Sequence, residues 1–267
     1  MPDKADTSAR DRVLAALEQI PPISLDEMES VKLLNRIDTK YLTDGETLLG
    51  ILSDAAAKGY RALKTDGVKL CPYDSVYYDT EDLKMFLDHH NRRLTRQKVR
   101  TREYVSSGLT FLEIKRKNNH GRTKNKRIEI PSGDFWDFRS NEAAAKYLAE
   151  KSDYTAESLL PTLETEFHRI TLVNPAKTER LTIDTALHFR NLRSGAFSGI
   201  KNAVVIELKQ DGHAQSQMKG ILLEHRVKPI RISKYCIGVT LTYPDIKSNR
   251  FKLKIRKIEK TIKDNVL

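Results

Sequence analysis

Cysteine is nearly missing from this chain. Two residues in 267, Cys71 and Cys236, lie far apart and fit no metal spacing, which argues against a disulfide framework or a zinc site. No apolar run approaches the roughly 20 residues needed to cross a bilayer. Met1 to Arg12 is polar and charged, without the apolar core of a signal peptide. There is no internal repeat and no low-complexity block. No Gly-x-x-x-x-Gly-Lys follows a strand-like run, so the phosphate loop of the common nucleotide-binding folds is excluded. No aromatic stacking platform interleaves the basic residues, which makes single-stranded nucleic acid the weakest of the anionic partners. These absences point to a soluble, cytoplasmic protein with no membrane span and no covalent cross-link.

What the chain does have is charge. Charged residues make up 31% and hydrophobic residues 39%, a globular but polar balance. Lys and Arg outnumber Asp and Glu to leave a net charge of +11. The natural partner is therefore anionic: nucleic acid, a phosphorylated metabolite or an anionic membrane surface. The length suits one large or two ordinary domains.

The placement of the charge is more informative than its amount. From Phe111 to Lys117 the chain alternates, with Glu113, Lys115 and Lys117 on one face of an extended strand and Leu112 and Ile114 on the other. A strand on an ordinary core would leave such charges in water. Here the pattern recurs. Arg100 and Arg102 share a face; Arg180, Thr182 and Asp184 lie opposite Leu181 and Ile183; Glu207 and Lys209 lie opposite Val204, Ile206 and Leu208; Arg36, Asp38 and Lys40 lie opposite Ile37, Thr39 and Tyr41. Several strands with one apolar and one charged face imply a sheet curled around a charged interior with helices packed outside, suited to a long polyanion.

The remaining segments fill in an α+β chain. Residues 1–8 read as disordered. Helical spacing at Val13, Leu14, Leu17 and Ile20 stops at Pro21-Pro22, and Ser24 with Glu27 forms a capping box opening a helix to Leu34. Further helices are predicted over 43–59, 80–90, 141–152, 154–159, 216–225 and 233–241, and a basic, solvated helix over 251–263. Strands are predicted over 36–42, 73–79, 94–105, 110–117, 123–131, 163–173, 180–189 and 203–210, the middle ones joined by short hairpin turns. His188, His213 and His225 show no ligand spacing, and His120 in a polar turn reads as solvated.

With these segments laid out, the chain resembles the VTC domain family, polyphosphate polymerase domains of the triphosphate tunnel superfamily. The motifs, in order, are Arg36-Ile37-Asp38-Thr39-Lys40-Tyr41-Leu42, Tyr77-Tyr78-Asp79-Thr80-Glu81-Asp82-Leu83, Lys98-Val99-Arg100-Thr101-Arg102-Glu103-Tyr104, Phe111-Leu112-Glu113-Ile114-Lys115, Gly121-Arg122-Thr123-Lys124, Arg180-Leu181-Thr182-Ile183-Asp184, Val205-Ile206-Glu207-Leu208-Lys209 and Ile232-Ser233-Lys234-Tyr235. The resemblance implies an antiparallel eight-stranded β-barrel tunnel with a polar interior and helices packed outside. It divides the chain into an N-terminal extension over 1–22, the tunnel domain over 23–256 and a basic tail over 257–267. It further implies synthesis of linear polyphosphate from the terminal phosphate of ATP, with Mn2+ or Mg2+ as cofactor and ATP and polyphosphate, not nucleic acid, as partners.

Carried over residue by residue, the resemblance places catalytic cations at Lys40, Arg100, Arg102, Lys115, Arg169 and Lys234. Substrate contacts fall on His89, Lys117, Arg122, Lys124, Arg127, Arg180, Arg231 and Ser233. Glu207 falls where the family holds its metal. Glu113 is a second candidate, although it could equally pair with a cation across the strands; Glu207 could instead pair with Lys209 or Arg180. His89 stands where some relatives have an arginine, so its charge is expected to depend on pH. Phe167 stands where a tyrosine can contact phosphate, and lacks that hydroxyl. Related tunnel triphosphatases carry Glu-x-Glu-x-Lys on the first strand; here that strand offers Asp38 and Lys40 only. Two further functions remain in view: a triphosphatase of the same fold, and a non-catalytic module binding polyphosphate or inositol phosphates.

Overall fold

The structure, a computed structural model, describes residues 4–29, 31, 36–212 and 215–264. In chain order the elements are α1 (Lys4–Glu18), β1 (Pro22–Ile23), α2 (Leu25–Glu29), β2 (Arg36–Asp44), α3 (Gly45–Ala57), β3 (Arg61–Leu63), β4 (Cys71–Asp79), α4 (Lys84–His90), β5 (Arg96–Tyr104), β6 (Leu109–Lys117) and β7 (Thr123–Ile130). There follow α5 (Glu142–Lys151), β8 (Leu160–Val173), β9 (Glu179–Asn191), β10 (Phe197–Ile200), β11 (Ala203–Asp211), α6 (Gln217–Glu224), α7 (Lys234–Thr242) and α8 (Lys252–Ile262). The eight strands expected from alternation all form. The short strands β1, β3 and β10 carry too few residues to show a period.

Those eight strands make one antiparallel sheet in the order β2-β11-β9-β8-β4-β5-β6-β7. The sheet curls into an open barrel with helices outside. Among the described residues its end strands β2 and β7 do not pair with each other. The free edge of β2 receives one bridge, in which Ile230 donates its N–H to the Lys40 carbonyl at 2.8 Å. The free edge of β7 is guarded by Lys124, Lys126 and Arg127, all exposed; charge on an edge strand discourages pairing with another chain.

The outward faces carry the apolar residues, as the alternation requires. Ile170, Leu172, Leu181, Ile183, Ile206 and Leu208 pack under α1, α3 and α6. Val76, Tyr78, Val99, Leu112, Ile114 and Ile130 pack under α5. α1 begins at Lys4, so residues 4–8, expected to be disordered, are helical; residues 1–3 lie outside the description. Val13, Leu17 and Ile20 are buried in the main core. The capping box at Ser24 and Glu27 forms, but α2 runs only to Glu29; residues 30 and 32–35 lie outside the described residues. The expected 154–159 helix is a single 3-10 turn at Ala156–Ser158. α8 turns Ile255, Ile258 and Ile262 into the core and Lys252, Lys257 and Lys260 out, while Lys254 is half-buried over the Phe251 ring.

One helix breaks the outside-only pattern. Ala186 takes a left-handed backbone conformation (φ 50°) in β9, and the β8–β9 register shifts opposite it. The side-chain alternation of β9 therefore flips beyond that point. Phe189 pairs with Thr165, and with Leu187 it meets α7 together with Leu42, Tyr77, Leu163 and Val205. α7 is buried nearly all round and seats against the sheet through Gly238, where an added Cβ would stand 2.5 Å from Leu163 Cδ2 and 2.6 Å from Phe189 Cδ1. It closes one end of the curl with apolar side chains and presents its first residues, Ser233 and Lys234, to the polar interior.

Candidate active site

Cross-strand register sets the inner wall. Arg100 of β5 lies between Tyr77 of β4 and Glu113 of β6, and Arg102 between Ser75 and Phe111. Lys115 lies opposite Lys98. Across the curl, Arg169 pairs with Asp184, and Glu207 lies between Thr182 and Lys40. Cations from β2, β5, β6, β8, β9 and β11 thus face one interior, joined by Lys234 from α7.

Two carboxylates there are committed to cations. Glu113 accepts from Arg100 Nε at 2.7 Å and again from Arg100 Nη2. Asp184, almost fully buried, accepts from Arg169 at 2.6 and 2.9 Å and from Lys234 Nζ. Despite burial, Arg100, Arg102 and Lys115 hold the Glu113 carboxyl well below the ordinary carboxylate range, and Arg169 and Lys234 do the same for Asp184. Of the two roles open to Glu113, its geometry is that of the cross-strand partner of Arg100, with both bonds on Oε2.

Glu207 differs. Its nearest cations are Lys40 Nζ at 3.6 Å and Lys209 Nζ at 3.9 Å, both beyond hydrogen-bond reach. Burial raises its carboxyl, but Lys40, Lys209, Lys115 and Arg169 more than offset this and hold it at about 2, so it is ionised at any working pH. One ionised carboxylate with open coordination, among groups that would hold phosphate, fits Mg2+ or Mn2+, which keep waters and substrate oxygens in their shell. It would not fit a cation needing a cage of protein carboxylates.

Cations on the inner wall exceed what the carboxylates can pair. Lys98, Arg102, Lys115 and Arg180 have no carboxylate within ion-pair distance among the described residues. Lys98 donates to Ser233 Oγ at 2.6 Å and Arg102 Nε to Ser75 Oγ at 3.1 Å. Arg100 first, then burial, drives the Lys115 ammonium well below its usual value. Burial, with Arg169 adding to it and Asp184 opposing, brings Lys234 down to about 8. The buried Arg180 Nε, Thr182 Oγ1 and Thr165 Oγ1 find no partner among the described residues. Unpaired buried charge of one sign is costly, and an anion in the interior removes the cost.

Several expected contacts lie elsewhere. Lys124 pairs with Arg116 on the outward face beside α5, away from the interior, because β6–β7 register gives the inward places to Thr123, Asn125 and Arg127. Arg122 stands exposed in the turn before β7, and Arg231 is exposed before α7. Ser233 caps α7, accepting from the Cys236 N–H, as well as receiving Lys98. Lys117 is half-buried near Arg96 and Arg231. His89 Nδ1 lies 3.0 Å from Cys236 Sγ; burial and the cations Lys98, Arg96, Lys254 and Lys117 push it down to about 2. That direction favours the neutral ring and counts against a charge at His89 that changes near neutral pH. Asp38 is paired with Arg36 at 2.6 Å.

Sequence reading overlooked three features. Tyr77 and Lys98 face the site but look unremarkable in an alternating strand. Rings from four strands, Tyr73, Tyr104, Phe111 and Phe167, gather at one mouth with Arg102, Arg127 and Arg169 over their faces. Aromatic residues do interleave with basic ones there, contrary to the expectation, but only across strands. Asp74, Glu164 and Glu166 gather on the opposite, outward face of the sheet, where Glu164 holds Arg190.

A family model for the VTC domain matches residues 35–243. No curated protein matches the chain. Among solved structures, a candidate adenylate cyclase from Bacillus halodurans is similar at TM-score 0.50 and 15% identity, covering 82% of this chain and 100% of that one. A candidate adenylyl cyclase from Hippeastrum, described as having a dominant triphosphatase activity, is similar at TM-score 0.51 and 12% identity, covering 79% and 99%. At these identities the likeness is one of fold.

Proposed function

Since the chain belongs to the VTC domain family, we propose that it is an ATP-dependent and divalent-metal-dependent polyphosphate polymerase, moving the γ-phosphate of ATP onto a growing chain inside the curled sheet. The observation that carries this reading is the surplus of inner-wall cations, Arg102 buried and Lys98, Lys115 and Arg180 half-buried, around Glu207, a carboxylate that no cation hydrogen-bonds among the described residues. A polyphosphate carries about one negative charge per unit, so it matches a wall of this kind.

Phosphoryl transfer asks mainly for positioning and charge stabilisation. Arg100 and Arg169, fixed by Glu113 and Asp184, offer planar guanidinium edges for two-point contact with phosphate oxygens, while Lys40, Lys115 and Lys234 act as point charges. The attacking group is the terminal phosphate of the chain, already anionic at neutral pH, so no general base is needed. A divalent ion held at Glu207 would neutralise charge building on the transferred group.

The test is an assay with ATP and Mn2+ that resolves acid-stable polymer from orthophosphate. Polymer and ADP are expected; orthophosphate alone would establish the second reading, a triphosphatase. The Hippeastrum protein's activity keeps that reading open. The pairing of Asp38 with Arg36 and of Glu113 with Arg100 counts against it, since hydrolysis in this fold calls for more metal carboxylates than Glu207. Glu207→Ala should abolish turnover and leave tripolyphosphate binding largely intact, whereas Arg100→Ala with Arg102→Ala should weaken both.

A further inference from the structure

Tyr77 sits on the inner wall, only 6% exposed. Its ring stacks on Tyr235 of α7 at 5.1 Å between centroids, and the Arg100 guanidinium lies 5.6 Å over it. Its hydroxyl oxygen accepts from Arg100 Nη1 at 3.0 Å. Four other tyrosines, three buried and one half-buried, behave differently. Tyr60 donates to Glu179, Tyr78 to the Trp136 carbonyl, Tyr235 to Asp79 and Tyr243 to the Thr162 carbonyl. No described group accepts the hydroxyl hydrogen of Tyr77. The charged groups around it are Lys98, Arg100 and Arg102 from β5 and Lys234 from α7, none of which has a lone pair to offer. Glu113, on β6, takes both its Arg100 bonds on Oε2 and makes no hydrogen bond to the Tyr77 hydroxyl. A buried donor without an acceptor is unfavourable until one arrives.

We propose, resting on the reading of the site as a triphosphate chamber, that Tyr77 is a substrate-contacting residue whose hydroxyl donates to a phosphate oxygen of the bound chain. Arg100 sets the direction. By donating to the phenol oxygen it turns the hydroxyl hydrogen away from itself and toward the interior, and its remaining N–H groups can reach the same phosphate. Burial pushes the Tyr77 phenol up, but Arg100, Lys98, Arg102 and Lys234 outweigh it and hold the phenol at about 8. Above that pH the donor becomes an anion facing an anion.

The test is Tyr77→Phe, which keeps the stack on Tyr235 and removes only the hydroxyl. Tripolyphosphate alone, without nucleotide or metal, is titrated calorimetrically. A hydrogen bond to a charged group predicts about tenfold to hundredfold weaker binding. Equal affinity in the two proteins overturns the Tyr77 assignment and leaves the chamber standing; no binding by the wild type overturns both. A second measurement uses the wild type only. Near-ultraviolet absorbance follows phenolate formation, to which the titration of Lys234 is silent. Tripolyphosphate should move the titration near pH 8 upward, because a donating phenol resists ionisation; an unmoved titration sinks the assignment even if the variant misfolds.

Discussion

Asp184 holds two cations on one buried carboxylate, and its removal should be felt twice. Asp184→Asn leaves Arg169 and Lys234 facing each other out of water, which should cost about 3–5 kcal/mol, read as a lower urea midpoint. The sign of its pH dependence follows from its lowered pKa. The stabilisation is present above the unfolded value and is lost as pH falls, so the variant should lose part of the acid sensitivity of the wild type. Asp74 is the opposite case. Burial, then Glu164 and Glu166, push its carboxyl up to about 8. The folded protein therefore binds a proton there that the unfolded chain has released, and stability at this group declines as pH rises from about 4 to about 8. Asp74→Asn should raise the melting temperature at pH 8 and leave it nearly unchanged at pH 4, as thermal melts at the two pH values would show.

At the level of elements, α7 depends on having no side chain at position 238. Gly238→Ala would drive a methyl group into Leu163 and Phe189, and overpacking of this kind costs about 1–3 kcal/mol. The prediction is checked by chemical denaturation, with Gly220→Ala in α6, whose Cβ meets nothing within 4 Å, as a comparison expected to gain about 0.5–1 kcal/mol from helix propensity. α7 also marks where the sequence stops being readable. The strands were legible because apolar and charged residues alternate, and Arg100, Arg102, Lys115 and Glu207 came out on the inner wall for that reason. The reversal at Ala186 was not legible, since a single left-handed residue leaves no pattern, and with it went the knowledge that Leu187 and Phe189 turn inward. Lys124 failed on register: its motif is in place, but pairing with Arg116 puts it on the far face. Glu113 and Asp184 show a third limit. A carboxylate's spacing does not say whether a metal or a guanidinium will claim it.

For the molecule as a whole, the cation-rich interior is held together against its own repulsion. Tripolyphosphate should relieve this and stabilise the fold. At a hundredfold excess over its Kd the gain is about 2.7 kcal/mol, or about 5–10 °C in melting temperature for a chain of this length. Added salt should erode part of that shift, most at the exposed mouths where Arg122, Arg127 and Arg231 stand. Among the described residues no ladder joins β2 to β7, and this gives the repulsion somewhere to act. A cylinder laced shut all round keeps its girth whether full or empty, whereas one with an unstitched seam is pushed wider by like charges and drawn in by a counter-charged filling. Scattering in solution should therefore record a smaller radius of gyration with tripolyphosphate than without it, the chamber tightening on its own cargo.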